Sequence, residues 1–165
     1  MSLIIRNLQQ TIPIRRVTLR KKIEQLRCIL GVQKFDLGVI CASNRHMQWL
    51  NKTYKGKNIP TDVLSFPFHE NLKAGELPCP CTPDEYNLGD IFLGVEYIHQ
   101  QCEEYKEDYN NVLIVTVAHG MCHLLGYKHS TGADWLQMYE KELQVLQALN
   151  KLSGTNLQPL TKNHF

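Results

Sequence analysis

A chain of 165 residues, 43% hydrophobic and 21% charged, has the size and makeup of one soluble globular domain, with enough apolar residue to bury a substantial core. No apolar run approaches the roughly 20 residues needed to cross a bilayer, which excludes a membrane-spanning role from the reading. The net charge of +2 conceals a split: residues 1–57 hold twelve Lys or Arg against two acids (+10), and the remainder holds six against fourteen (−8).

That asymmetry suits a cationic surface for a polyanion such as nucleic acid, although a solvated basic helix face has the same composition. It begins at the N-terminus, where the first 23 residues contain Arg6, Arg15, Arg16, Arg20, Lys21 and Lys22 and no acid. An organellar transit segment has that bias. The stretch lacks serine enrichment and runs straight into structural periodicity, so a strand at 3–8 and a basic helix of the fold itself are expected, with targeting by an uncleaved N-terminus left open. Leu19, Ile23, Leu26 and Leu30 are spaced 4, 3 and 4 and precede Gly31, predicting an amphipathic helix over 18–30 with a glycine stop. Alternating Phe35, Leu37, Val39 and Cys41 predict the next strand. Ser43 then caps a helix with Met47, Leu50 and Tyr54 on one face.

A basic turn over 55–60 leads to a short strand at 63–66. Residues 69–87, with Pro78, Pro80 and Pro83, read as a long surface loop of the kind that is often functional. A strand at 90–93 lies between Gly89 and Gly94, and Val95, Ile98, Cys102 and Tyr105 mark a third helix. Trp135, Tyr139, Leu143, Leu146 and Leu149 mark the last helix, opened by Thr131 and Asp134 in a capping-box-like arrangement and closed by Gly154. Strands and helices interleave without a linker, so the expectation is one α+β domain over 1–165. The six cysteines are scattered, and Cys79-Pro-Cys81 is too tight for paired zinc-ribbon ligands; reduced thiols in a reducing compartment are expected.

Between the third and last helices lies HGMCHLLGYKH, residues 119–129, with histidines at i, i+4 and i+10. The β-branched run Val112-Leu-Ile-Val-Thr-Val117 just before it favours a strand by propensity. In a strand, however, positions i and i+4 stand about 13 Å apart, too far to share an ion with Zn–N bonds of about 2 Å. In a helix they stand on one face about 6 Å apart along the axis. A shared metal therefore requires a helix, apolar nearly all round and hence buried, capped by Asn110 or Asn111. Gly126 supplies the left-handed residue that ends it, and His129 returns as a third ligand. Three imidazoles with an open fourth position describe a catalytic zinc, whereas structural sites usually close with four protein ligands. Cys122 points to another face and reads as a small core residue.

With that segment and two others, Pro60-Thr61-Asp62-Val63-Leu64-Ser65-Phe66-Pro67 and Leu88-Gly89-Asp90-Ile91, nearly the whole chain resembles the YbeY endoribonucleases, zinc-dependent rRNA maturation factors. It looks closest to their animal, mitochondrial-type members. The resemblance implies a small mixed sheet packed by helices, with a zincin-like metal helix. It implies one zinc ion held by His119, His123 and His129, ribosomal RNA as substrate, small-ribosomal-subunit proteins as partners, and a mitochondrial location. Lys55 matches a position where many bacterial members carry arginine, so the charge is kept and the bidentate fork lost. Lys128 stands where an aspartate commonly precedes the third histidine.

The expected function is metal-dependent cleavage of single-stranded rRNA. His119, His123 and His129 bind zinc, and Lys55, with Lys57, holds the phosphate. Zinc on three imidazoles brings the pKa of water to about 7, so phosphodiester attack needs no dedicated base. Gly120 stands where a zinc protease carries its catalytic glutamate, which counts against peptide hydrolysis. Asp62 and Asp90 read as turn residues or as carboxylates behind ligand imidazoles. His46, His69, His99 and His164 read as ordinary polar residues, and Trp49, Tyr54 and Phe68 as packing residues that could also stack on bases. Two other readings stay open. One is a zinc metalloprotease, discriminated by residue 120. The other is a non-catalytic rRNA-binding assembly module with a structural zinc, discriminated by a fourth protein ligand.

Overall fold

Parallel strands need a crossover between them, and the first third of the chain supplies one: β1 (Leu3–Asn7), α1 (Arg16–Leu30) and β2 (Asp36–Ala42) form a βαβ unit with β1 and β2 parallel. The computed structural model describes residues 2–163, and His164 lies outside them. After β2 come α2 (Asn44–Lys55), β3 (Val63–Pro67), β4 (Asn87–Gly94), α3 (Val95–Tyr105), α4 (Tyr109–Leu124) and α5 (Gly132–Ser153). The four strands are ordered β1-β2-β4-β3, with β4 parallel to β2 and antiparallel to β3. The mixed sheet and its helices form one α+β domain, as expected.

Alternation assigns the two faces of the sheet. Leu3, Ile5, Leu37, Val39, Cys41, Ile91 and Leu93 point into the main core, where α1, α3, α4 and α5 pack. The opposite face carries a smaller cluster, Ala42, Met47, Leu50 and Leu64, with Phe66 and Phe92 against it. The α1 stripe buries Leu19, Ile23, Leu26 and Leu30, and Gly31 ends the helix at φ 72°. Ser43 caps α2, its hydroxyl accepting from the His46 amide at 3.2 Å. Tyr54 and Tyr105, expected on apolar faces, are exposed instead, because each sits in the last turn of its helix.

The run 112–117 is helical despite its strand composition. It lies inside α4, where every residue from Leu113 to Cys122 is buried, so packing overrides local preference. Its cap is Asp108, not Asn110 or Asn111: the carboxylate accepts from the Asn111 amide at 3.1 Å, two to three residues earlier than the sequence suggested. In α5 the buried stripe is Met138, Glu142, Val145, Leu146 and Leu149, so Leu143 is only half-buried and a carboxylate takes the core position beside it. The segment between β3 and β4 is irregular apart from a 3-10 turn at Pro83–Glu85, where Glu85 accepts from the Thr82 amide at 2.9 Å.

Candidate metal centre

His119 and His123 stand one turn apart in the last two turns of α4, their ring centroids 4.6 Å apart. The helix ends in a Schellman turn: the Gly126 amide donates to the His123 carbonyl and the Tyr127 amide to that of Cys122, both at 3.1 Å, with Gly126 at φ 92°. That turn brings His129 back, its ring 5.0 Å from His123 and 5.5 Å from His119. One ligand-capable nitrogen from each of the three lies within 4.8 Å of the others, and the cluster among the described residues consists of these three.

The second nitrogens decide which atoms face the centre. His123 Nδ1 donates to the Tyr127 carbonyl at 2.9 Å, which fixes its proton there. His119 Nδ1 lies 3.0 Å from Glu142 Oε2 and 3.2 Å from the Thr161 hydroxyl, in a pocket where His119 is 2% exposed and Glu142 and Thr161 are fully buried. His119 Nε2 and His123 Nε2 face each other at 3.1 Å. Tetrahedral zinc holds two nitrogens about 3.3 Å apart at Zn–N of about 2.0–2.1 Å, so the donor set fits that metal. Burial, with the neighbouring imidazoles and the Lys55 ammonium adding to it, pushes His123 down to about 3 against the opposing Tyr127 bond. The ring is neutral and ready to ligate throughout the physiological range.

Lys55 ends α2 on the exposed surface, near enough for its charge to be felt at His123. Lys57 is exposed beyond the helix end, and Lys128 is exposed between Tyr127 and His129. Neither aspartate backs a ligand. Asp62 accepts the Gly94 amide on its carbonyl at 2.7 Å and the Thr61 hydroxyl on its carboxylate at 3.3 Å. Asp90 lies on β4 over Gly38, on the sheet face away from α4, and burial raises its carboxyl above the usual range. The buried carboxylate behind His119 is Glu142. A carboxylate at the second position of a 4-3-4 stripe (Met138, Glu142, Val145, Leu149) was the signal that could have revealed it. Cys122 is fully buried in the main core, and burial raises its thiol far above the ordinary value, as suits packing rather than ligation.

Gly120 faces the sheet. A Cβ there would stand 3.1 Å from Ile91 Cδ1 and Cγ2 and from Ser65 Oγ, so α4 rests closely on β3 and β4, and a side chain at this position would have to displace those neighbours.

The description Endoribonuclease YbeY matches residues 4–150. The chain belongs to the endoribonuclease YbeY family. The human endoribonuclease YbeY is 64% identical over 165 residues, covering all of this chain and 98% of its own. YbeY proteins of Bartonella bacilliformis and Bacillus subtilis are 39% and 35% identical, covering 69% and 72% of this chain and 68% and 75% of theirs. A solution structure from Thermotoga maritima superposes with a TM-score of 0.54 at 19% identity over 96% of this chain and 99% of that one, a likeness of fold.

Proposed function

We propose that this YbeY-family chain is a zinc-dependent endoribonuclease that cuts single-stranded ribosomal RNA during maturation of the small ribosomal subunit. The observation that carries the reading is the convergence of His119, His123 and His129, one ligand-capable nitrogen of each lying within 4.8 Å of the others. A relative named endoribonuclease over the whole chain, and a second over 69% of it, support the substrate class. Zinc held by His119, His123 and His129 supplies acidified water and a polarised phosphoryl oxygen near neutral pH. The Tyr127 carbonyl and Glu142 hold the two helical rings in register for it, and Lys55 offers an ammonium to the scissile phosphate as a point charge. Gly120 carries no side-chain carboxylate where a zinc protease has its glutamate, which disfavours peptide hydrolysis.

The same proposal places the chain in the mitochondrion with small-subunit proteins as partners. The basic residues Arg16 and Arg20 belong to the fold, donating to the Ile5 and Leu3 carbonyls of β1 at 3.1 and 2.9 Å. Import of a tagged chain into isolated mitochondria tests the location.

The deciding experiment combines metal analysis with cleavage of single-stranded rRNA fragments and of casein. One zinc per chain, RNA cleavage abolished by His123→Ala and lowered roughly 10²-fold by Lys55→Ala, and intact casein are expected. RNA binding without turnover, unchanged by His123→Ala, would replace the enzyme with an assembly module; casein cleavage would replace it with a protease.

A further inference from the structure

The carboxylate behind His119 is itself held by a distant part of the chain. Residues 157–161 fold back onto α5, with Leu157 buried and Thr161 fully buried. Glu142 Oε1 accepts from the Leu160 amide at 3.0 Å and the Thr161 amide at 3.3 Å, and Oε2 accepts the Thr161 hydroxyl. The Thr161 carbonyl in turn accepts from Trp135 Nε1 at 2.8 Å. A buried carboxylate costs several kcal/mol unless its lone pairs are met, and here two amides, a hydroxyl and an imidazole meet them. The Thr161 hydroxyl lies against both Glu142 and His119 Nδ1, so one side chain touches the ring and the group that orients it.

We propose that Glu142 is a positioning residue for the metal centre, and that Thr161 clasps it from the returning C-terminal segment. The clasped carboxylate keeps the His119 proton on Nδ1, holds Nε2 toward the ion and raises its basicity. The proposal rests on the metal reading above, and its test does not depend on RNA. Zinc affinity is measured on metal-free protein by competition with a chromogenic chelator, for wild type, Glu142→Gln, Thr161→Val and Thr161→Ser. The His119 tautomer is read from long-range proton–nitrogen NMR correlations. Zinc affinity is expected to fall about 10–100-fold in Glu142→Gln, the range seen for such outer partners. It should also fall in Thr161→Val, with a mixed His119 tautomer, and recover in Thr161→Ser. Folded Glu142→Gln and Thr161→Val proteins with wild-type affinity and tautomer overturn the clasp while leaving the enzyme reading intact. A wild-type chain that binds no zinc overturns both.

A second proposal rests on the outer face of α2. Arg45, Trp49 and Lys52, at i, i+4 and i+7, form one exposed stripe opposite buried Met47 and Leu50, with the Trp49 side chain 59% exposed. The helix contains no acid, and its last turn ends at Lys55, whose charge reaches His123. We infer that this stripe is a docking track for single-stranded RNA, with Arg45 and Lys52 on phosphates and Trp49 under a base, leading the strand to Lys55. Charge complementarity selects a polyanion, and the bare indole selects unpaired bases over a duplex, whose bases are stacked inside. In an oligonucleotide titration of the wild-type chain, single-stranded RNA and not duplex should quench the indole fluorescence, and Trp49→Phe should remove that quenching. Trp49→Ala should weaken single-strand affinity roughly five- to hundredfold, the span of one lost stack. Unchanged affinity in both Trp49→Ala and Arg45→Gln, or equal quenching by duplex, overturns the track and leaves the stripe to a protein partner.

Discussion

Two glycines set the chemistry of the metal helix, and neither is at a ligand position. Gly120 costs α4 about 1 kcal/mol relative to alanine, yet it lets the helix lie against Ile91 and Ser65. Installing the protease residue there, Gly120→Glu, should destabilise the fold by at least about 1–3 kcal/mol through overpacking, and more for the carboxylate, as urea unfolding would register. No casein hydrolysis should appear. Gly126 sits at φ 92°, and a Cβ there would stand 2.6 Å from the Leu72 carbonyl oxygen. Gly126→Ala should therefore cost about 1–2 kcal/mol for the backbone alone and lower zinc affinity by misdirecting His129, which the chelator competition would report. At this scale the sequence was legible where geometry left one option. Histidines at i and i+4 required a helix, and a glycine had to turn it back. Glu142 was hidden because an acid between Lys141 and Leu143 looks like the solvated side of an amphipathic helix until tertiary contacts turn it inward.

Elements were legible to the extent that their own residues define them. The α1 stripe and the alternation of β2 correspond to the buried positions observed, because each pattern is read from one segment. Strand order, and the placing of Asp90 on the face away from α4, depend on which segments pair, and no local period encodes that. One element carries an unusual internal anchor. Arg27, 2% exposed on α1, donates to Glu24 Oε1 at 2.5 Å and to the Gln33 and Phe35 carbonyls. It pins the α1–β2 connection and so the register of the first parallel pair. Arg27→Leu should leave the buried Phe35 carbonyl unmet at about 1–3 kcal/mol. Thermal unfolding would show the loss, and hydrogen exchange should place it in the α1–β2 turn.

For the molecule as a whole, the proposed ion binding would be linked to stability, because the three histidines converge only in the folded state. Zinc at 100 times its dissociation constant should stabilise wild type by about 2.7 kcal/mol. For a chain of this size that raises Tm by roughly 5–11 °C in calorimetry. EDTA should reverse the gain, and His123→Ala should show none. The charge split acts at the same scale. A basic first third that feeds α2 and Lys55 makes RNA affinity fall steeply with salt, by a log–log slope that counts the phosphates engaged. The bond between His119 and Thr161 spans 42 residues. At 5–20 residues per second, synthesis delivers the imidazole roughly 2–8 s before the hydroxyl that steadies it. On the clasp proposal a newborn chain passes through an interval in which its ion ligands exist but hold loosely, so tight capture of the metal waits until Thr161 has been made and folded into place.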